Sequence, residues 1–386
     1  MRAVIITENQ YPLEDAGAIR QHATAKLLES AGYSVIVFGY GKSTKGKVKI
    51  YDGIEYISFR PASSNKFVRA LYRITAPSRM MSFLRRMCGD ADLILVADVF
   101  SSTIKKVNKY AKYKGTLLIH DSVEWFSAEQ FSGGERARAF KERDKINRSL
   151  VRGNWRVMAI SSYLEEHFKK QCDRVVRIPV VMDMSAIEYN GQAAKGGKIK
   201  FAYVGSPGKK DYLENMLEAF DLLEEEQRSR AEFHIVGVTM AQLVSICGVS
   251  RSLLDRLGNF VIAHGRVPHS DAIRFVREAD YTLLVRDSDL RYSKAGFPTK
   301  IVESLASGTP PICNISSDLG LYLVDGKNAF IAEDHSPLNL KCALEKAIET
   351  SYDQRNEMRG AARKTAEVQF DHREYKSEFS KLLDKL

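Results

Sequence analysis

Twice along the chain, short apolar runs alternate with stretches of helical periodicity, and one break rich in small residues separates the two series. In the first series RAVIIT, YSVIVFGY, ADLILVAD, GTLLIHD and WRVMAI are too short for ordinary helices and nearly continuous in apolar character, the pattern of strands covered on both faces. Between them AIRQHATAKLLESAG and SSTIKKVNKYAKYK carry helical spacing, residues 133–152 form a charged helical stretch, and Ser162 with Glu165 makes a capping box for YLEEHFKK. The second series runs IKFAYV, DYLENMLEAFDLL, EFHIVGV, FVIAHGRV, DAIRFVREA, DYTLLVR and PPICNI, and closes with a helix starting at Ser336 and Pro337. Such alternation demands parallel sheets with helices on both faces.

The expected fold is therefore α/β, with two doubly wound Rossmann-like domains facing across a cleft. Residues 1–182 form the first domain, 183–198 the linker and 199–367 the second, a division that suits 386 residues. Ligand is expected at the carboxyl ends of the strands.

Five cysteines, Cys88, Cys172, Cys247, Cys313 and Cys342, are far apart and without CxxC spacing, which excludes a disulfide framework and a structural zinc site. The N-terminus enters a strand directly and no apolar run is long enough to span a bilayer, so a cytoplasmic location is expected. Net charge is +10. Residues 56–89 hold no acidic residue but seven basic ones, Arg60, Lys66, Arg69, Arg73, Arg79, Arg85 and Arg86, interleaved with apolar residues. This is either a basic amphipathic surface for anionic lipid at the inner face of a membrane or a solvated helical pair over its own core. Nucleic acid is not an expected partner, because no nucleic-acid module is present and the remaining chain is nearly neutral.

Each series opens with a strand, a glycine-bearing loop and a helix. Gly17 precedes the first helix; Gly205, Ser206, Gly208, Lys209 and Lys210 follow IKFAYV. Backbone amides and the positive helix end favour phosphate at such places, while lysine adds full charge. Neither loop matches a P-loop or a strict GxGxxG. Near the end of the second series, Ala295, Gly296, Phe297 and Pro298 form a loop, Thr299 can cap, and Lys300 and Glu303 lie in the first turns of KIVESLASG. A carboxylate there can accept both hydroxyls of a ribose, or it can be an ordinary first-turn glutamate.

AGFPTKIVESLASGTPP resembles the motif of retaining glycosyltransferases of family four, which have the GT-B architecture, with Gly296, Phe297, Glu303, Gly308 and Pro310 kept. Ala295 stands where that family has the first of its two glutamates. The resemblance runs along the whole chain: GAIRQHATAKLLESAGYSVIVFG matches the family's first glycine loop, helix and strand, and LLIHD its strand ending in His-Asp. It implies an acceptor-binding first domain, onto which a last helix, about 368–386, packs back, and a nucleotide-sugar-binding second domain. It also implies His120 as the catalytic residue beside the transferred sugar and Gly17 and Arg20 near the diphosphate. The other donor contacts it implies are Gly205, Ser206 in place of an arginine, Lys209, Lys210, Arg286 and residues 295–300 with Glu303.

The implied reaction moves a sugar from a nucleotide diphosphate sugar to a carbohydrate or lipid-linked acceptor, with retention, in surface polysaccharide or glycoconjugate assembly. It uses no cofactor and no metal. The DxD tripeptides Asp287–Asp289 and Asp90–Asp92 suit a different glycosyltransferase fold. The alternatives are a catalytically silent nucleotide-sugar-binding partner and a nucleotide-sugar epimerase of the same fold.

Overall fold

The computed structural model describes residues 1–13, 15–60, 65–189, 191–193, 195–207 and 210–384. It forms two compact units, Met1–Asp183 with Asp371–Leu386, and Met184–Phe370.

In the first unit, β1 (Arg2–Thr7), β2 (Ser34–Lys42), β3 (Lys49–Tyr51), β4 (Ile54–Arg60), β5 (Leu93–Ala97), β6 (Leu117–Ser122), β7 (Gly153–Ala159) and β8 (Cys172–Arg177) form one sheet. Their order is β3-β4-β2-β1-β5-β6-β7-β8, and every neighbouring pair is parallel except β3 with β4. The central strands are the continuous apolar runs of the sequence. Ile5, Val37 and Leu95 are fully buried, as expected where helices cover both faces. The end of the chain belongs to this core: Phe379 and Leu382 pack with Val176 and Ile178, and Arg174 donates to the Lys381 carbonyl at 2.9 Å.

Three helices of this unit matter below: α1 (Ala16–Ser30), α2 (Lys66–Met87) and α3 (Ser101–Lys114). Residues 56–60 of the basic segment are the end of β4, and from Lys66 to Met87 it is one continuous helix, α2, with Pro77 inside it, not a helical pair. The stretch 133–152 is not one helix either. Gly133 and Gly134 take positive φ, so the chain makes a 3-10 turn at Gly134–Arg136, an α-helix at Arg138–Lys145 and a π turn at Ile146–Leu150. The cap of the next helix is Ser161, whose extended backbone lets its hydroxyl accept from the Leu164 amide; Ser162 is already helical.

The second unit holds β9 (Ile199–Val204), β10 (Ala231–Val236), β11 (Val261–Gly265), β12 (Tyr281–Leu284), β13 (Pro311–Asn314) and β14 (Phe330–Ala332). Their order is β11-β10-β9-β12-β13-β14, with every pair parallel. The chain winds outward from β9 through β10 to β11 and then crosses to β12 on the other side of β9. The carboxyl ends of β9 and β12 are thus this unit's topological switch point, where loops diverge and leave a crevice. Met184 and Ile187, in the stretch read as a linker, are held on this unit by Arg363, which donates to both carbonyls at 2.9 and 3.1 Å.

Candidate functional site

At the switch point β9 ends in Tyr203 and Val204 and turns through Gly205, with φ near +144°. A methyl group on Gly205 would lie 2.3 Å from Cε of Lys300, and one on Gly237 would lie 2.0 Å from the Gly205 carbonyl oxygen. Both glycines are therefore required by close approach as well as by backbone conformation. Gly205→Ala is expected to push the Lys300 ammonium from its seat and to lower stability by about 2–3 kcal/mol, read from the urea midpoint.

That seat is a buried charge cluster. Asp211, whose side chain is 4% exposed, pairs through Oδ2 with the Lys300 ammonium and through Oδ1 with Nε of Arg286 at 3.1 Å. The Tyr203 hydroxyl donates to Asp211 Oδ2 at 2.8 Å and accepts from Lys300 Nζ at 2.8 Å. Lys300 also lies 4.4 Å from the centre of the Tyr203 ring. Burial opposes ionisation of Asp211, but the Lys300 and Arg286 charges and the hydrogen bonds outweigh it and hold the carboxyl well below its usual range. Burial in turn lowers the Lys300 ammonium, with Asp211 opposing.

Arg286 is positioned from the next strand. Asn314, at the end of β13, accepts from the Arg286 amide at 2.9 Å and donates to its carbonyl at 2.8 Å.

Lys300 and Glu303 come from the helix Thr299–Ala306, whose buried face carries Ile301, Val302, Leu305 and Ala306. Thr299 does not cap it: Pro298 holds the cap position and no side chain bonds the first turn. Glu303 is half-buried and shares a recess with Lys300, Val204 and Leu284. Burial pushes its carboxyl up to about 7, with Lys300 working the other way. Its carboxylate makes no hydrogen bond to another described residue.

The remaining expected contacts of this unit divide. Ser206 is exposed at the start of the loop, and Lys210 lies 5.7 Å from the centre of the Tyr292 ring. Gly208 and Lys209 lie outside the described residues. Ala295 is fully buried, with Gly296 and Pro298 buried beside it. Phe297 is buried as well, its ring set edge-on against Tyr322 and Phe370 at 5.7 Å.

In the first unit the structure assigns Gly17 and Arg20 structural work. Asp15 caps α1, accepting from the Ala18 and Gln10 amides at 2.7 Å, so a carboxylate already occupies the helix end expected to meet phosphate. Gly17 is small because a Cβ there would meet the Asn9 side chain at 2.4 Å. Arg20 is 3% exposed and pairs with Asp121 at 2.8 Å, while it also donates to the carbonyls of Ile178 and Pro179. Every nitrogen of its guanidinium is thus taken up inside the unit.

His120 stands at the end of β6, lining a shallow recess with Asp98, Asn147 and Arg143. Its ring is edge-on to Trp155 and Phe168, burial pushes its pKa down to about 4, and Nδ1 has no hydrogen-bond partner among the described residues. It is a neutral imidazole at physiological pH.

Three residues of the cluster escaped the sequence reading. Asp211 looked like the start of a helix, Tyr203 like ordinary strand and Asn314 like a strand end. Nothing in their local spacing marks them, since the cations they hold, Lys300 for Asp211 and Tyr203, and Arg286 for Asn314, are 89, 97 and 28 residues away.

Residues 187–365 match the model of the family described as glycosyl transferases group 1. That match lies within the second unit. Its edges nearly coincide with those of the unit, Met184–Phe370. Solved structures match the whole chain. Sucrose-phosphate synthase from Thermosynechococcus elongatus has a TM-score of 0.76 at 14% identity, over 99% of this chain and 98% of that one. HepE of Anabaena, in complex with UDP and glucose, has 0.67 at 13% identity, over 100% of both chains. WaaG, a glycosyltransferase involved in lipopolysaccharide biosynthesis, has 0.68 at 14% identity, over 98% of each. At these identities the likeness establishes the fold, GT-B. No curated protein matches the chain in sequence.

Proposed function

We propose that this chain is a glycosyltransferase that moves a sugar from a nucleotide diphosphate sugar to a carbohydrate or lipid-linked acceptor, with retention of configuration, in surface polysaccharide or glycoconjugate assembly. The observation that carries the reading is the convergence of Arg286, Lys300 and Glu303 at the switch point of β9 and β12, inside the group 1 domain. HepE, solved with UDP, and WaaG, involved in lipopolysaccharide biosynthesis, support the same substrate class and setting.

In this reading Arg286 and Lys300 neutralise the diphosphate, the Gly205 turn lets its oxygens approach the backbone, and Glu303 accepts from the ribose hydroxyls. Two fixed cations aimed at the departing diphosphate stabilise charge that grows as the sugar bond breaks. That is transition-state binding rather than uniform binding. The acceptor hydroxyl approaches the face that the diphosphate leaves, and the departing phosphate takes its proton. His120, neutral, orients the sugar. No metal ion is called for, because the cations supply the positive charge.

A thermal-shift panel of UDP-, GDP- and ADP-sugars tests the donor. One nucleotide series is expected to raise the melting temperature by several degrees at about a hundredfold excess over Kd. No shift with any of them would remove the reading.

A second reading, a catalytically silent binding partner, rests on Ala295 and Ser206. A buried methyl stands where the family motif has a carboxylate, and an exposed serine stands where it has an arginine. A donor that shifts the melting temperature but is neither hydrolysed nor transferred across an acceptor panel would select it.

A further inference from the structure

On α2, positions 67, 71, 74, 78, 81 and 85 recur at intervals of four and three, so they form one stripe along the helix. Its first half is apolar and open: Phe67, Leu71 and Ile74 are 87%, 63% and 76% exposed. Its second half, from Ser78 to Arg85, forms one wall of a groove whose other wall is α3, with Lys106, Lys109, Lys114 and Tyr113. Among the described residues, none of those lining the groove is acidic. Lys106 donates to the Ser78 hydroxyl at 2.7 Å and ties the walls together, and Tyr113 is 84% exposed at the groove.

Helix ends explain part of this pattern, since cations in a last turn complement the macrodipole, as Arg85 and Lys114 do. They do not explain Lys106 and Lys109, which lie more than a turn before the end of α3, or three large apolar side chains that cover nothing of their own core.

We infer that this face of α2 and α3 docks onto an anionic phospholipid bilayer. The apolar row enters the interface, α2 lies in the membrane plane, and the groove seats lipid phosphates against the lysines. A nucleic acid would satisfy the cations but leave the apolar row in water, and a second copy of this face would bring like charges together. Among the described residues no helix is long and apolar enough to cross a membrane, so the contact is peripheral on this face. The groove lies beside the starts of β5 and β6, at the opposite end of that sheet from His120. The inference does not depend on the donor-site reading.

Co-sedimentation of the full chain with vesicles tests it. Vesicles of phosphatidylcholine with about 30% phosphatidylglycerol are expected to bind at least about tenfold more tightly than phosphatidylcholine alone, and high salt should weaken that binding. Leu71→Glu with Ile74→Glu, and separately Lys106→Glu with Lys109→Glu, should each cut binding by about tenfold or more at unchanged circular dichroism. Equal binding to both vesicles, indifference to either pair, or displacement from anionic vesicles by duplex DNA or RNA would overturn the inference. Because no sugar transfer is read, such a failure leaves the proposed function standing.

Discussion

Asp211→Asn lowers the stability of the second unit by about 3–4 kcal/mol, because it leaves Lys300 and Arg286 facing each other across a neutral amide. For a unit of this size that is a fall of roughly 6–15 °C in melting temperature. Removing one member of a buried ion cluster costs far more than an exposed pair contributes, since the surviving charges keep their desolvation penalty. The same variant separates a structural cluster from a ligand site. If the two cations are there for a diphosphate, millimolar UDP or pyrophosphate should replace the missing negative charge and raise the variant's melting temperature by more than it raises that of the wild type. A variant as stable as the wild type, or one that anions do not rescue, would contradict this account.

Glu303→Ala is expected to lower kcat/KM for the donor by roughly 10²–10³-fold, about 3–4 kcal/mol, through loss of charge-assisted hydrogen bonds to the ribose. Its effect on stability should run the other way, most cleanly in Glu303→Gln. Below about pH 4.5 the carboxyl is protonated in both folded and unfolded chains, so it contributes nothing. Between 4.5 and about 7 the folded chain keeps a proton that the unfolded chain has lost, and stability falls as pH rises. Above about 7 the folded carboxyl is ionised in a half-buried site, and the full penalty, on the order of 3 kcal/mol, persists. Glu303→Gln should therefore stabilise the protein at pH 8, leave it unchanged near pH 4, and still impair turnover. Melting curves across this range decide it. A stability loss at pH 8 would make Glu303 a structural residue.

The alternating apolar runs were legible because a parallel strand covered on both faces must be apolar over its buried length, as β5 is throughout and β1 is from Ala3 to Ile6. β3, β4 and β8 were not, since polar residues interrupt them: Lys49, Glu55 and Asp173 sit on strands at or next to a sheet edge, where water takes part of the burden of burial. The cap at Ser161 was misread by one residue because two adjacent serines satisfy the same local rule, and only backbone φ and ψ choose between them.

Spacing along the chain determined that two wound α/β units form, that a glycine turn follows β9 and that Lys300 and Glu303 share the first turns of one helix. Those are local matters of periodicity, chirality and helix geometry. Tertiary structure alone decided which charges meet. Arg20, which looks like a ligand contact in sequence, is drawn into its unit by Asp121, a residue 101 positions away. Arg286 and Lys300, from separate elements, are brought onto Asp211 because the order of β9, β12 and β13 sets their strand ends side by side. Electrostatic partnership depends on distance and burial in space, and neither can be read from separation along the chain.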